Sequence, residues 1–303
     1  MRYSCGIDIG GTKIAGVLVD EKLNVLLSER IFYTCKGPDR VVEEIASLVD
    51  YLTKDIEKSK LLGIGIVTPG IIDSDNGVVV YAANLNWRDV PVRNLLEKRL
   101  GLPCLLEHDV KGGALAELFF GAGREFRDFL YVSVGTGIAG AIVWDRKVVK
   151  GSHNICGEIG HTVVMPQGPM CRCGKRGCLE ALASGSAMER EAWYLAGEEV
   201  EGSVIVERAE SGDPLFREIL RNASFYLGLA LANMAGVLDP EAIILGGGVS
   251  EAGLLWFSFV EEAYRMHLLD LNRAPKLLLG VFRGRASVMG AAALPLLGHG
   301  SLL

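Results

Sequence analysis

The chain has 303 residues, half of them hydrophobic, with 31 Lys and Arg against 37 Asp and Glu and a net charge of −6. That balance excludes a disordered or collagen-like chain and argues against nucleic acid as the main partner. The length suggests about two domains of roughly 150 residues each. No apolar run approaches the ~18 residues of a membrane span, and the amino terminus meets Asp8 where a secretory signal needs an apolar core. The reading is a soluble cytoplasmic protein without a membrane partner.

In chain order, the first segment runs strand, Gly-rich turn, strand: an apolar run into Gly10-Gly11-Thr12-Lys13, then Val17-Leu18-Val19. Asp39–Ile56 and Val92–Leu100 carry helical spacing of apolar residues. Leu61–Val67 reads as a buried strand ending in Thr68-Pro69-Gly70, and Pro103–Glu107 as another. Val110–Phe120 reads as a helix directly after Glu107-His108-Asp109. The opening hairpin then repeats, because Gly11-Thr12-Lys13-Ile14-Ala15-Gly16 aligns without gaps on Gly135-Thr136-Gly137-Ile138-Ala139-Gly140. Leu215–Leu238 is a long helix stopped by Asp239-Pro240, Ala242–Leu245 a buried strand entering Gly246-Gly247-Gly248, and Ser287–Leu297 a closing helix. The duplication implies two related α/β lobes with a hinge near Asp109.

Three constellations carry chemistry. Glycines at a hairpin tip let backbone N–H groups approach an anion, to which Thr12 adds a hydroxyl and Lys13 a charge. Asp8 at the strand end suits a phosphate-bound Mg²⁺ held through water. A tight turn explains that hairpin alone equally well, but the second tip at Gly135, Thr136 and Gly137 favours a polyphosphate clamp. Gly246, Gly247 and Gly248 suit close approach of a flat ligand or its phosphates, and a bare strand–helix turn explains them as often. His161, Cys171, Cys173 and Cys178 supply one imidazole and three thiolates, a complete tetrahedral zinc set with no open position and hence structural. Asp109 reads in isolation as a helix cap or first-turn acid. A folded zinc loop would fix Glu158 and Glu180 as acceptors for a hydroxyl-rich substrate.

Together these residues resemble the ROK group of sugar kinases and sugar-responsive repressors. Ile7–Lys13 resembles its first phosphate motif, Gly135–Gly137 the second, and Gly246–Val249 its adenosine-side turn. Gly65–Gly70 and Asn84-Leu85-Asn86-Trp87 match its sugar-lobe segments, and Gly157–His161 with Cys171–Glu180 comes close to the family signature. The resemblance implies an α/β, actin/hexokinase-like (ribonuclease H-like) duplicated fold, with ATP and sugar in a cleft that closes on the sugar. Residues 1–108, joined by a terminal helix at about 287–303, would form the smaller lobe, and 109–286 the larger one with the zinc loop. It further implies Asp109 as catalytic base and Gly70, Asn84, His108, Glu158, His161 and Glu180 beside the sugar, with His161 also on zinc. ATP, Mg²⁺, structural Zn²⁺ and a homodimer come with it.

Two places depart from the family, which has Asn before the catalytic Asp where this chain has His108 and, as a milder change, a more glycine-rich run where this chain has Gly137-Ile138-Ala139-Gly140-Ala141. The activity expected is glucokinase-type phosphorylation of a hexose, glucose foremost, at its 6-hydroxyl. N-acetylmannosamine, N-acetylglucosamine, fructose, mannose and allose are the alternative acceptors, and polyphosphate an alternative donor. A sugar-responsive repressor needs a helix-turn-helix domain ahead of the first motif, which here begins near residue 7.

Overall fold

A computed structural model describes residues 1–32 and 37–298. Its elements fall into two compact units. The first comprises residues 1–124, 146–156 and the chain from Arg285 onward, and the second 125–145 and 157–284.

In the first unit, β1 (Tyr3–Ile9), β2 (Lys13–Asp20), β3 (Val25–Phe32), β4 (Leu61–Thr68) and β8 (Cys104–His108) form a sheet in the order β3-β2-β1-β4-β8. β1 runs antiparallel to β2 and parallel to β4, which runs parallel to β8. Short strands β5 (Ile71–Asp73), β6 (Val78–Ala82) and β7 (Trp87–Val90) make a small antiparallel sheet between β4 and α2 in the chain. Period-two alternation divides β1. Cys5, Ile7 and Ile9 enter a core shared with α1 (Pro38–Thr53) and α2 (Val92–Leu100), whereas Ser4, Gly6 and Asp8 face the other side.

On that other side lies α9 (Ala286–Leu297), built of small apolar residues and buried from Val288 to Leu294. Ser4 Oγ donates to Ala292 O at 2.7 Å. A Cβ on Gly65 would run into the carbonyl of Ala291, and one on Gly6 into the backbone of Ala292. α9 also holds α3 (Asp109–Phe120), since Gly290 lies against the backbone of Gly112. The boundary expected at Asp109 therefore falls after α3, because Gly112 seats that helix on α9 and Val67 of the first unit. Residues 146–156, with β11 (Lys147–Val148), also belong to the first unit, although the sequence reading gave them to the second. The terminal helix ends at Leu297, and residues 299–303 of its expected range lie outside the described residues.

The second unit repeats the topology. β9 (Phe129–Val134) runs antiparallel to β10 (Ile138–Trp144) and parallel to β12 (Ala242–Gly246), which runs parallel to β13 (Lys276–Leu279). Around this sheet stand α4 (Glu180–Ala183), α5 (Gly185–Ala196), α6 (Gly202–Glu210), α7 (Pro214–Leu238) and α8 (Gly253–His267). α7 starts where Asp213 Oδ1 accepts the N–H groups of Leu215 and Phe216, with Pro214 in its first turn. It stops at Asp239 in the left-handed region, before Pro240. Phe216, Ile219, Leu220 and Leu227 of α7 share the core with Trp256, Phe259 and Val260 of α8. No helix of the described residues is long and apolar enough to cross a membrane.

The glycine seam under α9 has a direct consequence. Gly65→Ala should destabilise the protein by about 3 kcal/mol or more, because backbone cannot move aside as a side chain can. Thermal unfolding of that variant beside Gly101→Ala, whose added Cβ meets nothing within 4 Å, measures the difference; the left-handed φ of Gly101, +64°, limits the control to a strain of about 1 kcal/mol.

Candidate active site

In each unit the carboxyl ends of parallel strands gather the candidate residues, the usual ligand edge of an open α/β sheet. In the first unit, Gly10 N–H donates to Lys13 O at 2.9 Å, which puts Gly11 and Thr12 at the hairpin tip. A Cβ on Gly11 would stand 3.5 Å from Asn84 Cβ, so the tip and the turn between β6 and β7 are neighbours. Thr68 Oγ1 donates to Ile9 O at 3.2 Å and ties the end of β4 to the start of that tip. Gly70 follows with φ +119°, packed against Tyr81 O, a turn that disfavours any side chain.

Asp8 is the penultimate residue of β1, two positions before Gly10. Burial and the negative charge of Asp109 raise its carboxyl to about 7, against the pull of Lys13 and Arg30. Strand register accounts for Arg30, because Asp8 pairs with Ala15 and Ala15 with Arg30 across adjacent strands. The sequence reading missed this cation; only the β2–β3 register, with its irregularity at Leu18/Val19, brings it level with Asp8. His108 and Asp109 sit where β8 gives way to α3. Asp109 Oδ1 accepts from Val110 N–H at 2.7 Å and lies 3.1 Å from His108 Nδ1.

In the second unit, Gly135 N–H donates to Gly137 O at 2.9 Å, and Gly185 N–H at the start of α5 donates to Gly135 O at 2.7 Å. Three residues separate Val134 from Ile138, whereas four separate Ile9 from Ile14, so the second tip is one residue shorter. Counting back from each tip sets Ser133 opposite Asp8, and the carboxylate is therefore a property of the first hairpin alone. Gly135, Thr136, Gly185, Glu189, Gly248 and Glu251 are among the residues lining a cavity of about 330 Å³, a size that suits a small ligand. Of the glycine triplet, Gly248 lines this cavity, whereas Gly246 packs on Tyr131 and Gly247, at φ +82°, on Val134. A short 3-10 turn, Gly248–Ala252, intervenes before α8.

The ligand atoms of His161, Cys171, Cys173 and Cys178 all lie within 4.8 Å of one another. A tetrahedral zinc ion sets such atoms roughly 3.6–3.8 Å apart, given bonds of about 2.3 Å to sulfur and about 2.0–2.1 Å to nitrogen. Cys171 Sγ to His161 Nδ1 and Cys173 Sγ to Cys178 Sγ are both 3.6 Å. Gly174 and Gly177 turn the loop at φ +88° and +70°. Burial, with the neighbouring thiols, pushes Cys178 up to about 12, so a thiolate there requires a cation beside it. The donor set fits zinc. The other imidazole nitrogen of His161, Nε2, lies 4.0 Å from Glu158 Oε2, which is exposed. Glu180 Oε2 accepts from Ile138 N–H at 3.0 Å and crowds Gly137, so the acid two residues past Cys178 braces the hairpin tip.

The chain is similar to known proteins along nearly its whole length. The ROK family profile matches residues 4–296. A glucokinase of Streptomyces coelicolor is 32% identical over 97% of this chain and 98% of its own. The structure is similar to a ROK family glucokinase from Streptomyces griseus in complex with glucose and AMPPNP, with a TM-score of 0.88 and 32% identity over 98% of this chain and 100% of that one. A xylose repressor of Bacillus spizizenii is 31% identical over 82% of this chain and 65% of its own length. A duplicated α/β topology of the actin/hexokinase-like kind, a Cys₃His cluster and two glycine hairpin tips thus coincide with likeness along nearly the whole chain, and the protein belongs to the ROK family.

Proposed function

We propose that the chain is an ATP-dependent hexokinase of the glucokinase type, transferring the γ-phosphoryl group to the 6-hydroxyl of glucose. The observation that carries this reading is Asp109, held by Oδ1 at the first turn of α3, in a chain similar throughout to a glucose- and AMPPNP-bound glucokinase. Asp109 takes the hydroxyl proton through its second oxygen as the sugar oxygen bonds to γ-phosphorus. The bond from that phosphorus to the bridging oxygen breaks, and ADP leaves with the electron pair. Gly10, Gly11, Thr12 and Lys13 take phosphate oxygens in the first unit, as Gly135, Thr136 and Gly137 do in the second. The cavity beside Gly248 takes the nucleoside end of ATP.

Asn84, Gly70 and His108 line the sugar side of the first unit, and Glu158, His161 and Glu180 present hydroxyl contacts from the second. Asp8 would hold magnesium through water, which when bound offsets negative charge on the transferring phosphoryl group. Zinc would be held by His161, Cys171, Cys173 and Cys178 and would act structurally, fixing the loop that carries Glu158 and Glu180.

Asp109→Asn should lower kcat by roughly 10²–10⁴-fold, the usual contribution of a positioned base, while glucose binding by calorimetry stays within a few-fold. A panel of glucose, mannose, fructose, allose and the two N-acetylhexosamines, read by ADP release, identifies the acceptor. Chelation should release one zinc per chain and weaken sugar binding along with thermal stability, as metal analysis and calorimetry of the treated protein would measure. The raised carboxyl of Asp8 has a signed effect on folding. Its ordinary value is 3.8 and its folded value about 7, so the native chain binds the extra proton between them. Asp8 therefore costs no stability below about pH 4, and stability is lost as pH rises through 7. Asp8→Asn should thus melt higher than the parent above pH 7, with the gap closing toward pH 4 in a thermal series.

A further inference from the structure

The imidazole of His108, the carboxylate of Asp109 and the N–H of Val110 form one triangle. Asp109 Oδ1 is 2.7 Å from Val110 N, His108 Nδ1 is 3.1 Å from Oδ1, and His108 Nδ1 is 3.3 Å from Val110 N. An imidazole nitrogen either donates or accepts, and these contacts ask opposite things of Nδ1. As an acceptor, Nδ1 would share an N–H that Oδ1 already holds at the shorter distance, and its lone pair would oppose a carboxylate oxygen. As a donor, Nδ1–H points at a charged acceptor, and Oδ1 then has two donors while Val110 N–H keeps its better partner. A charge-assisted bond of this kind outweighs a 3.3 Å neutral one. The two side chains are 16% and 25% exposed, which leaves their outer atoms open to a ligand.

We infer that His108 is held as its Nδ1–H tautomer and is a positioning residue for Asp109. Its donation pins Oδ1 and turns Oδ2 toward the hydroxyl that gives up its proton. In the neutral form of that ring Nε2 is an acceptor only, which favours a substrate with a second hydroxyl close to the reacting one. This inference rests on Asp109 as the base of the proposed phosphoryl transfer. It gives His108 two separable tasks on two nitrogens: Nδ1 serves turnover and Nε2 serves substrate affinity.

Substitutions can separate the tasks, because an asparagine amide sits near the place of Nδ1 and a glutamine amide near the place of Nε2. His108→Asn should hold kcat to within about threefold and raise the sugar KM. His108→Gln should keep KM near that of the parent and lower kcat by roughly 10–100-fold, the scale of a misplaced reacting group. His108→Ala should lose on both counts. Circular dichroism and thermal unfolding confine the comparison to folded variants. Equal loss of kcat in the Asn and Gln variants, or no loss in Gln and Ala, overturns the inference. Nitrogen-15 NMR of the His108 ring at alkaline pH supplies a reading that needs no turnover. The Nδ1–H tautomer should prevail in the parent and give way in Asp109→Ala; Nε2–H in the parent overturns the inference. Should the parent phosphorylate no hexose, the kinase reading fails in that assay, and the NMR result alone decides the tautomer.

Discussion

The first unit depends on how closely backbone approaches backbone beneath α9. Gly6 and Gly65 remove the side chains that would hold the helix off β1 and β4, and Gly112 and Gly290 do the same between α3 and α9. Contacts of this kind leave little slack, because the partners are peptide groups and not adjustable side chains. The position of Asp109 is therefore set by the main chain. α3 is fixed by the seam, and the carboxylate lies in its first turn, one peptide beyond the end of β8. A side chain held by rigid elements keeps its geometry better than one carried on a loop.

The two hairpins share topology but are braced in different ways. Thr68 ties the first to β4, and Asn84 flanks its tip. Behind the second stand the start of α5 and the carboxylate of Glu180. Glu180 lies two residues past Cys178, so the loop with the Cys₃His set also supports a glycine turn lining the 330 Å³ cavity. Where the first hairpin has Asp8, the second has Ser133. The repeat thus supplies two glycine tips and one carboxylate.

Much of this was legible in the sequence, for local reasons. Val92–Leu100 is a helix over the predicted residues, and Leu61, Leu215 and Ala242 open their strand and helix within a residue of expectation, because breakers and periodicity mark those ends. The repeat was visible because glycine tips and apolar flanks are conspicuous, and the Cys₃His set because ligand spacing is short. Other features depend on contacts distant in sequence. Nothing local says that Arg30 lines up with Asp8, or that Glu180 reaches Ile138. Placing the boundary at Asp109 treated the end of β8 as the end of a unit, whereas α3 is claimed by glycine contacts with α9. Strands β5 to β7 went unread because segments of 3 to 5 residues carry too little alternation to stand out.

The bond from Ser4 to Ala292 spans 288 positions of sequence. The second unit lies within that span, and all of its segments are made before α9. During synthesis, at about 5–20 residues per second, the first unit waits with one face of its sheet uncovered while the second assembles. Ser4, Gly6 and Gly65 present almost no apolar surface on that waiting face, but Val19 and Val17, the strand partners of Ser4 and Gly6, do, as does Val67 beside Asp8. The glycines that admit α9 at the end thus leave those valines as the apolar surface that stays open until the last helix is made.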